Sequence, residues 1–120
     1  KVIFCIGETL QEKKKKITKK ILLKQIKFGL NKIKNKKNVL IAYEPVWSIG
    51  TGLVPKEKDL FEIIDFVKKN IKKCKVLYGG SVNPKNIHLL KTISNIDGYL
   101  IGGASQDSNK FIDIIKKTYN

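Results

Sequence analysis

The sequence predicts an α/β fold assembled from parallel βαβ units, and three observations carry that prediction. First, a short apolar run, a loop bearing glycine or a carboxylate, and an amphipathic helical pattern recur four times within 120 residues. Second, the run Val39–Tyr43 is apolar throughout, the pattern of a strand covered on both faces. Third, the glycines and carboxylates collect at the carboxyl ends of the strands, the edge where α/β sheets bind ligands. Alternation of this kind implies right-handed parallel crossovers. Four units amount to half of an eightfold (β/α) barrel, with residues 1–120 lying in one domain and no internal boundary. A small open four-stranded sheet is the alternative. An isolated half would leave strand edges unpaired at residues 2–6 and 99–101.

The first unit opens with Val2–Ile6 and runs into Gly7-Glu8-Thr9. A helix is predicted over residues 18–33 with Thr18 as its N-cap, because Ile21, Leu22, Ile26, Leu30 and Ile33 share one face. The lysine run 13–16 before it reads as a solvated surface turn. In the second unit the strand Val39–Tyr43 is followed by a loop, then by a helix opening at Pro55, a favoured first helical position. Leu60, Ile63, Ile64, Val67 and Ile71 follow at helical spacing. Val54 would occupy the capping position there, with no side-chain acceptor to offer. The third unit is a strand over residues 75–78, the loop Gly79-Gly80-Ser81-Val82-Asn83-Pro84 and a short helix near residues 85–92. The fourth is a strand over 98–101, the loop Gly102-Gly103-Ala104-Ser105 and a helix over about 107–117.

The chemistry centres on the second unit. Its strand ends in Glu44, followed at once by Pro45, which fixes its own φ and pushes the preceding residue out of helical space. Next comes Val46-Trp47-Ser48-Ile49-Gly50-Thr51-Gly52, an apolar loop tipped by two glycines. Water-facing loops are usually polar, so this one needs cover. A carboxylate at a strand end beside a hinged, glycine-tipped apolar loop suggests a base beneath a lid. An ordinary βα loop with a solvated acid is the plain alternative.

Charge and composition narrow the remaining classes. The net charge of +15 invites a nucleic-acid or acidic-partner reading, yet all 25 basic residues are lysine. Readers of phosphates and base edges lean on the bidentate fork of arginine. Isoleucine (18) and asparagine (9) are abundant and alanine appears twice, so the pattern reads as coding bias and a solvated lysine surface. No nucleic-acid partner is expected. Apolar runs stay far below the roughly 20 residues of a membrane span, so no membrane partner is expected either. Cys5 and Cys74 lack metal-ligand spacing and read as free, unreactive thiols in a reducing compartment. With no methionine and strand-like sequence from its first residues, the chain is expected to be a fragment of a longer protein.

The stretch AYEPVWSIGTG resembles the catalytic-base and lid segment of the triosephosphate isomerase family. CIGETL (Cys5 to Leu10) resembles that family's fifth-strand motif, YGGSV (Tyr78 to Val82) its seventh-strand loop, and DGYLIGGAS (Asp97 to Ser105) its eighth strand and glycine pair. Four motifs in order span nearly the whole chain. The resemblance implies the carboxyl-terminal half, strands five to eight, of a TIM (β/α)8 barrel. It also implies interconversion of dihydroxyacetone phosphate and D-glyceraldehyde 3-phosphate, without cofactor or metal, in a cytoplasmic homodimer of glycolysis and gluconeogenesis. Another phosphate-binding barrel with glycine-pair loops fits the EPVW motif poorly.

By the same resemblance Glu44 is the general base, and Gly50, Ser81, Gly102 and Gly103 hold the substrate phosphate through main-chain donors. Pro45, Val46, Trp47, Ser48, Ile49, Thr51 and Gly52 belong to the lid, latched by the hydroxyls of Tyr78 and Ser81. Each glycine loop is expected to precede a helix whose positive end favours phosphate. Glu8 is expected to be structural, paired with a lysine or a backbone donor, Trp47 to anchor the lid hinge, and His88 to be a surface or packing residue rather than the electrophile. Two departures stand out. The lid ends Gly52-Leu53-Val54 where many members carry lysine. Lys16 stands where a glycine is common, a change expected to cost little. The family's lysine and asparagine from the first strand and its histidine from the fourth have no counterpart, so the fragment alone is expected to be inactive without the amino-terminal half.

Overall fold

The computed structural model describes residues 1–120. Four strands, β1 (Val2–Ile6), β2 (Val39–Tyr43), β3 (Lys75–Tyr78) and β4 (Gly98–Tyr99), form one parallel sheet in the order β1-β2-β3-β4. The strand order never reverses, so every crossover advances the sheet in the same direction. The helices are α1 (Leu10–Lys14), α2 (Thr18–Leu30), α3 (Glu57–Asn70), α4 (Ile87–Leu90) and α5 (Ser108–Tyr119), with 3₁₀ turns at Val46–Ser48 and Gly103–Gln106. None is long and apolar enough to cross a membrane.

Side-chain alternation along the strands divides the sheet into two different faces. Ile6, Ile41, Tyr43, Val76 and Tyr78 join Leu22, Ile26, Leu30, Leu60, Ile64 and Val67 from α2 and α3 in a single core. On the opposite face Ile3 and Cys5 are exposed, and Leu40 and Leu77 are only half-buried. The helices therefore cover one face of the sheet. Asp97 ties the layers at the far end, accepting Lys68 Nζ at 2.8 Å and the Val76 amide at 2.7 Å.

Several boundaries differ from the sequence prediction, each for a physical reason. An additional helix, α1, forms because Thr9 and Glu12 make a reciprocal capping box. Lys13 and Lys14 close that helix, so only the rest of the lysine run is a turn. Thr18 is the first residue of α2 and not its cap. Ile17 precedes it without a side-chain bond, and the ladder already starts from the Ile17 carbonyl. The helix ends at Leu30, and Ile33 is exposed, because the chain must turn there to bring Val39 beside Val2. In α3 the cap is Lys56, two residues beyond Val54. Buried Pro55 belongs to the end of the lid, and the ladder starts from the Lys56 carbonyl. β4 stops at Tyr99 because β3 ends at Tyr78. The Leu100 amide makes a last bond to the Tyr78 carbonyl at 2.9 Å, and residues beyond have no neighbour to pair with.

Lys16 departs further from expectation. Its φ is 58°, the left-handed region where a Cβ crowds the following carbonyl. A lysine in place of glycine therefore stores strain in the α1–α2 turn rather than sitting there at little cost.

Candidate active site

Glu44 leaves the sheet at the carboxyl end of β2, held from both sides. Its amide donates to the Ile6 carbonyl at 2.8 Å, and the Gly79 amide donates to the carbonyl of neighbouring Tyr43 at 3.0 Å. Gly7 packs its α-carbon directly against the Glu44 carbonyl, a contact with no room for a Cβ. The base candidate is thus fixed by three strand ends at once.

Behind it sits Glu8, 1% exposed, whose carboxylate accepts the Tyr43 hydroxyl at 3.1 and 3.3 Å and Trp47 Nε1–H at 2.9 Å. Its partners are aromatic donors, not the lysine or backbone donor expected from sequence. Lysine enters one step out, where Lys13 Nζ lies 3.4 Å from the centre of the Trp47 ring. Burial, and then the Glu8 charge and hydrogen bond, push the Tyr43 hydroxyl far above the usual tyrosine range. Trp47 is thereby pinned at the hinge of the loop that follows Glu44.

That loop folds back over the strand ends. Val46–Ser48 makes a 3₁₀ turn, and Gly50 and Gly52 take φ of 70° and 79°, a conformation that glycine adopts without strain. The Gly52 amide donates to Ser81 Oγ at 3.0 Å, and Ser81 Oγ–H donates to the Ser48 carbonyl. Tyr78 OH lies 3.4 Å from Ser48 Oγ. Ser81 itself has φ 47°, an unusual backbone for a residue with a side chain, held by Asn83 and Asn86 amides donating to its carbonyl at 3.1 and 2.9 Å.

Glu44, Gly50, Ser81, Gly102 and Gly103 all line one hollow of about 290 Å³, together with Ile49, Gly52, Gly79, Val82, Asn83 and Ala104. The amides of Gly50, Ser81, Gly102 and Gly103 donate to no protein group. Four free backbone donors beside one carboxylate form a surface matched to an anionic ligand that also presents a proton to be moved. Larger hollows between α2 and α3 and along α5 gather no such set.

Two expectations about the loops require correction. Gly80-Ser81 does not lead directly into a helix. A turn over Asn83 to Asn86 intervenes, and α4 is a single turn starting at Ile87. Gly102-Gly103 opens a 3₁₀ turn, with α5 beginning only at Ser108, capped by Asp107. The donors at the hollow are individual loop amides. His88 is exposed on α4, outside the hollow.

Sequence reasoning missed two neighbours of Glu44. Gly79 abuts its side chain, although YGGSV held the signal in its first glycine. Cys5, read as part of an apolar strand, is exposed on the less covered sheet face beside the Glu44 carboxylate. Desolvation foremost, then the hydrogen bond and charge of Glu44, push its thiol up to about 11. The lysines are spread over every long helix and the turns between them rather than gathered on one element.

The family model described as triosephosphate isomerase matches residues 1–118. Among curated relatives, the triosephosphate isomerase of Thermodesulfovibrio yellowstonii is 44% identical over 124 residues, covering 97% of this chain and 50% of that protein. That of Zygosaccharomyces bailii is 42% identical, covering 95% and 49%, and that of Candida albicans 41%, covering 97% and 50%. The chain spans about half the length of the curated relatives it matches.

Proposed function

The chain belongs to the triosephosphate isomerase family, and from that premise we propose that it supplies the base and the phosphate grip of a triose-phosphate isomerase. The observation that carries the reading is the hollow where Glu44 meets four free backbone amides. In this reading the Glu44 carboxylate removes the proton from the carbon beside the substrate carbonyl. An enediolate forms, and the proton returns to the neighbouring carbon, interconverting dihydroxyacetone phosphate and D-glyceraldehyde 3-phosphate. The amides of Gly50, Ser81, Gly102 and Gly103 receive the phosphate oxygens. Gly50 does so only while residues 45–53 lie folded over the site, so phosphate binding and water exclusion are coupled.

The parallel order β1-β2-β3-β4, covered by helices on one face, supports a place in the carboxyl-terminal half of the (β/α)8 barrel that this family names. The other half would pair with the outer edges of β1 and β4 and cover Ile3 and Cys5. It would also bring the group that polarises the substrate carbonyl, since the hollow holds no histidine, lysine or arginine. The full-length protein is then a cytoplasmic homodimer needing no cofactor.

The test is Glu44→Gln in the full-length protein. We expect kcat to fall about 10²–10⁴-fold or more with folding retained, as when a positioned base is withdrawn. Near-normal kcat in the folded variant would sink the assignment.

A further inference from the structure

We propose that the Ser48 hydroxyl is a positioning group that holds the lid closed by tying its two ends to each other and to the end of β3. The inference rests on the isomerase reading above and deepens it. Ser48 is fully buried although its loop neighbours Val46 and Ile49 are half exposed. A serine hydroxyl has one hydrogen to give, and here it donates to the Leu53 carbonyl at the opposite end of the lid. With that hydrogen committed, Ser48 Oγ is the acceptor in its 3.4 Å contact with the Tyr78 hydroxyl, which donates.

The backbone of the same residue is used as heavily. The Ser48 carbonyl accepts Ser81 Oγ–H, and the Thr51 hydroxyl is shared between the Trp47 and Ser48 carbonyls at 3.1 and 3.2 Å. Three segments therefore meet at Ser48: the hinge after Pro45, the far end of the lid and the loop after β3. Gly80 gives the hydroxyl its room, because a Cβ there would fall 2.5 Å from both Ser48 Oγ and Tyr78 OH. Alanine at position 48 keeps every backbone contact and deletes only the link from Tyr78 to Leu53.

The chemistry makes this link measurable. An enediolate bearing a phosphate ester on the adjacent carbon can push its electron pair toward that carbon, break the C–O bond and expel inorganic phosphate. The enol left behind tautomerises to a 2-oxoaldehyde. A closed lid, gripping the phosphate at the Gly50 amide, disfavours that departure. Phosphate released per isomerisation thus reports how long the lid stays shut, and it does not depend on how much enzyme is folded.

The experiment compares the full-length protein with its Ser48→Ala, Tyr78→Phe and doubly substituted variants, measuring kcat, KM and phosphate released per turnover. Ser48→Ala should raise the released fraction about tenfold, the worth of one buried hydrogen bond, with a several-fold loss in kcat. Tyr78→Phe should raise it in the same direction, and the double variant should do no more than Ser48→Ala alone. An unchanged released fraction in Ser48→Ala overturns the proposal. Should that variant not fold, an unchanged fraction in Tyr78→Phe overturns it equally. Absence of isomerase activity in the unsubstituted protein would instead remove the isomerase reading, and this proposal with it.

Discussion

Gly79 lies against the side chain of Glu44, so close that a Cβ at 79 would stand 2.6 Å from Glu44 Cγ and 2.9 Å from Oε1. The missing side chain is therefore part of how the carboxylate is aimed. Gly79→Ala must push Glu44 aside while leaving the four free amides of the hollow in place. In the full-length protein kcat should fall about 10²-fold, the effect of misplacing a reacting group by roughly 1 Å, with KM little changed. Steady-state kinetics check this, and an unaltered kcat would show that Glu44 has slack.

Lys16→Gly should stabilise the protein by about 1 kcal/mol, since the turn holds φ at 58° where only glycine is unstrained. Lys16→Ala keeps the Cβ and should change little. Urea denaturation of the two variants separates this backbone effect from the loss of a charge. Equal midpoints would refute it.

Glu8→Leu should be strongly destabilising. It leaves the buried Tyr43 hydroxyl and the part-buried Trp47 Nε1–H, both now given to Glu8, without an acceptor. An orphaned buried donor costs about 1–3 kcal/mol, so two should lower stability by several kcal/mol. Glu8→Gln retains one acceptor oxygen and should cost less. Thermal denaturation gives the ranking, and a reversed order would contradict the role assigned to the carboxylate.

The Cys5 thiol should be unreactive at ordinary pH. Its pKa is raised from 9.0 to about 11, so the native state holds its proton more tightly than the unfolded chain. At pH 9 only about one per cent is thiolate, the form that reacts, against half in the unfolded chain. Stability linked to this group is complete below pH 9 and is lost as pH rises through 11. Iodoacetamide labelling of a Cys74→Ser variant across pH 7–12 should show the reaction rising near 11. A midpoint near 9 would mean that neither burial nor the Glu44 carboxylate acts on the sulfur.

Residues 1–120 alone should not isomerise triose phosphates, because Glu44 and the free amides of its hollow are present without a histidine, lysine or arginine to polarise a carbonyl. Losing such preorganised donors costs about 10²–10³ in kcat for each one removed. Adding a separately made amino-terminal half from a relative should restore turnover. Substantial activity of the fragment by itself would point to another residue, His88 first, and end the account given of the site.

What the sequence by itself determined was local and periodic. The largely apolar runs at residues 2–6, 39–43 and 75–78 became strands within those bounds, because a short hydrophobic run closed by glycine, or by a carboxylate and then proline, has few alternatives. Glu44 stood out because a carboxylate at a strand end meets a hinge proline and a glycine-tipped loop, whereas the roles of Gly50, Ser81, Gly102 and Gly103 were implied only by the resemblance to a known family. Other features depended on distance in space rather than in sequence, and only the tertiary structure decided them. Glu8 meets Tyr43 and Trp47 across 35 and 39 residues, choosing aromatic donors over the lysines close to it in sequence. β4 shortened to Gly98–Tyr99 because β3 ended, and a strand exists only while a neighbour pairs with it. The strain at Lys16 and Ser81 and the contact of Gly79 with Glu44 arise from backbone angles and packing that residue type alone does not encode.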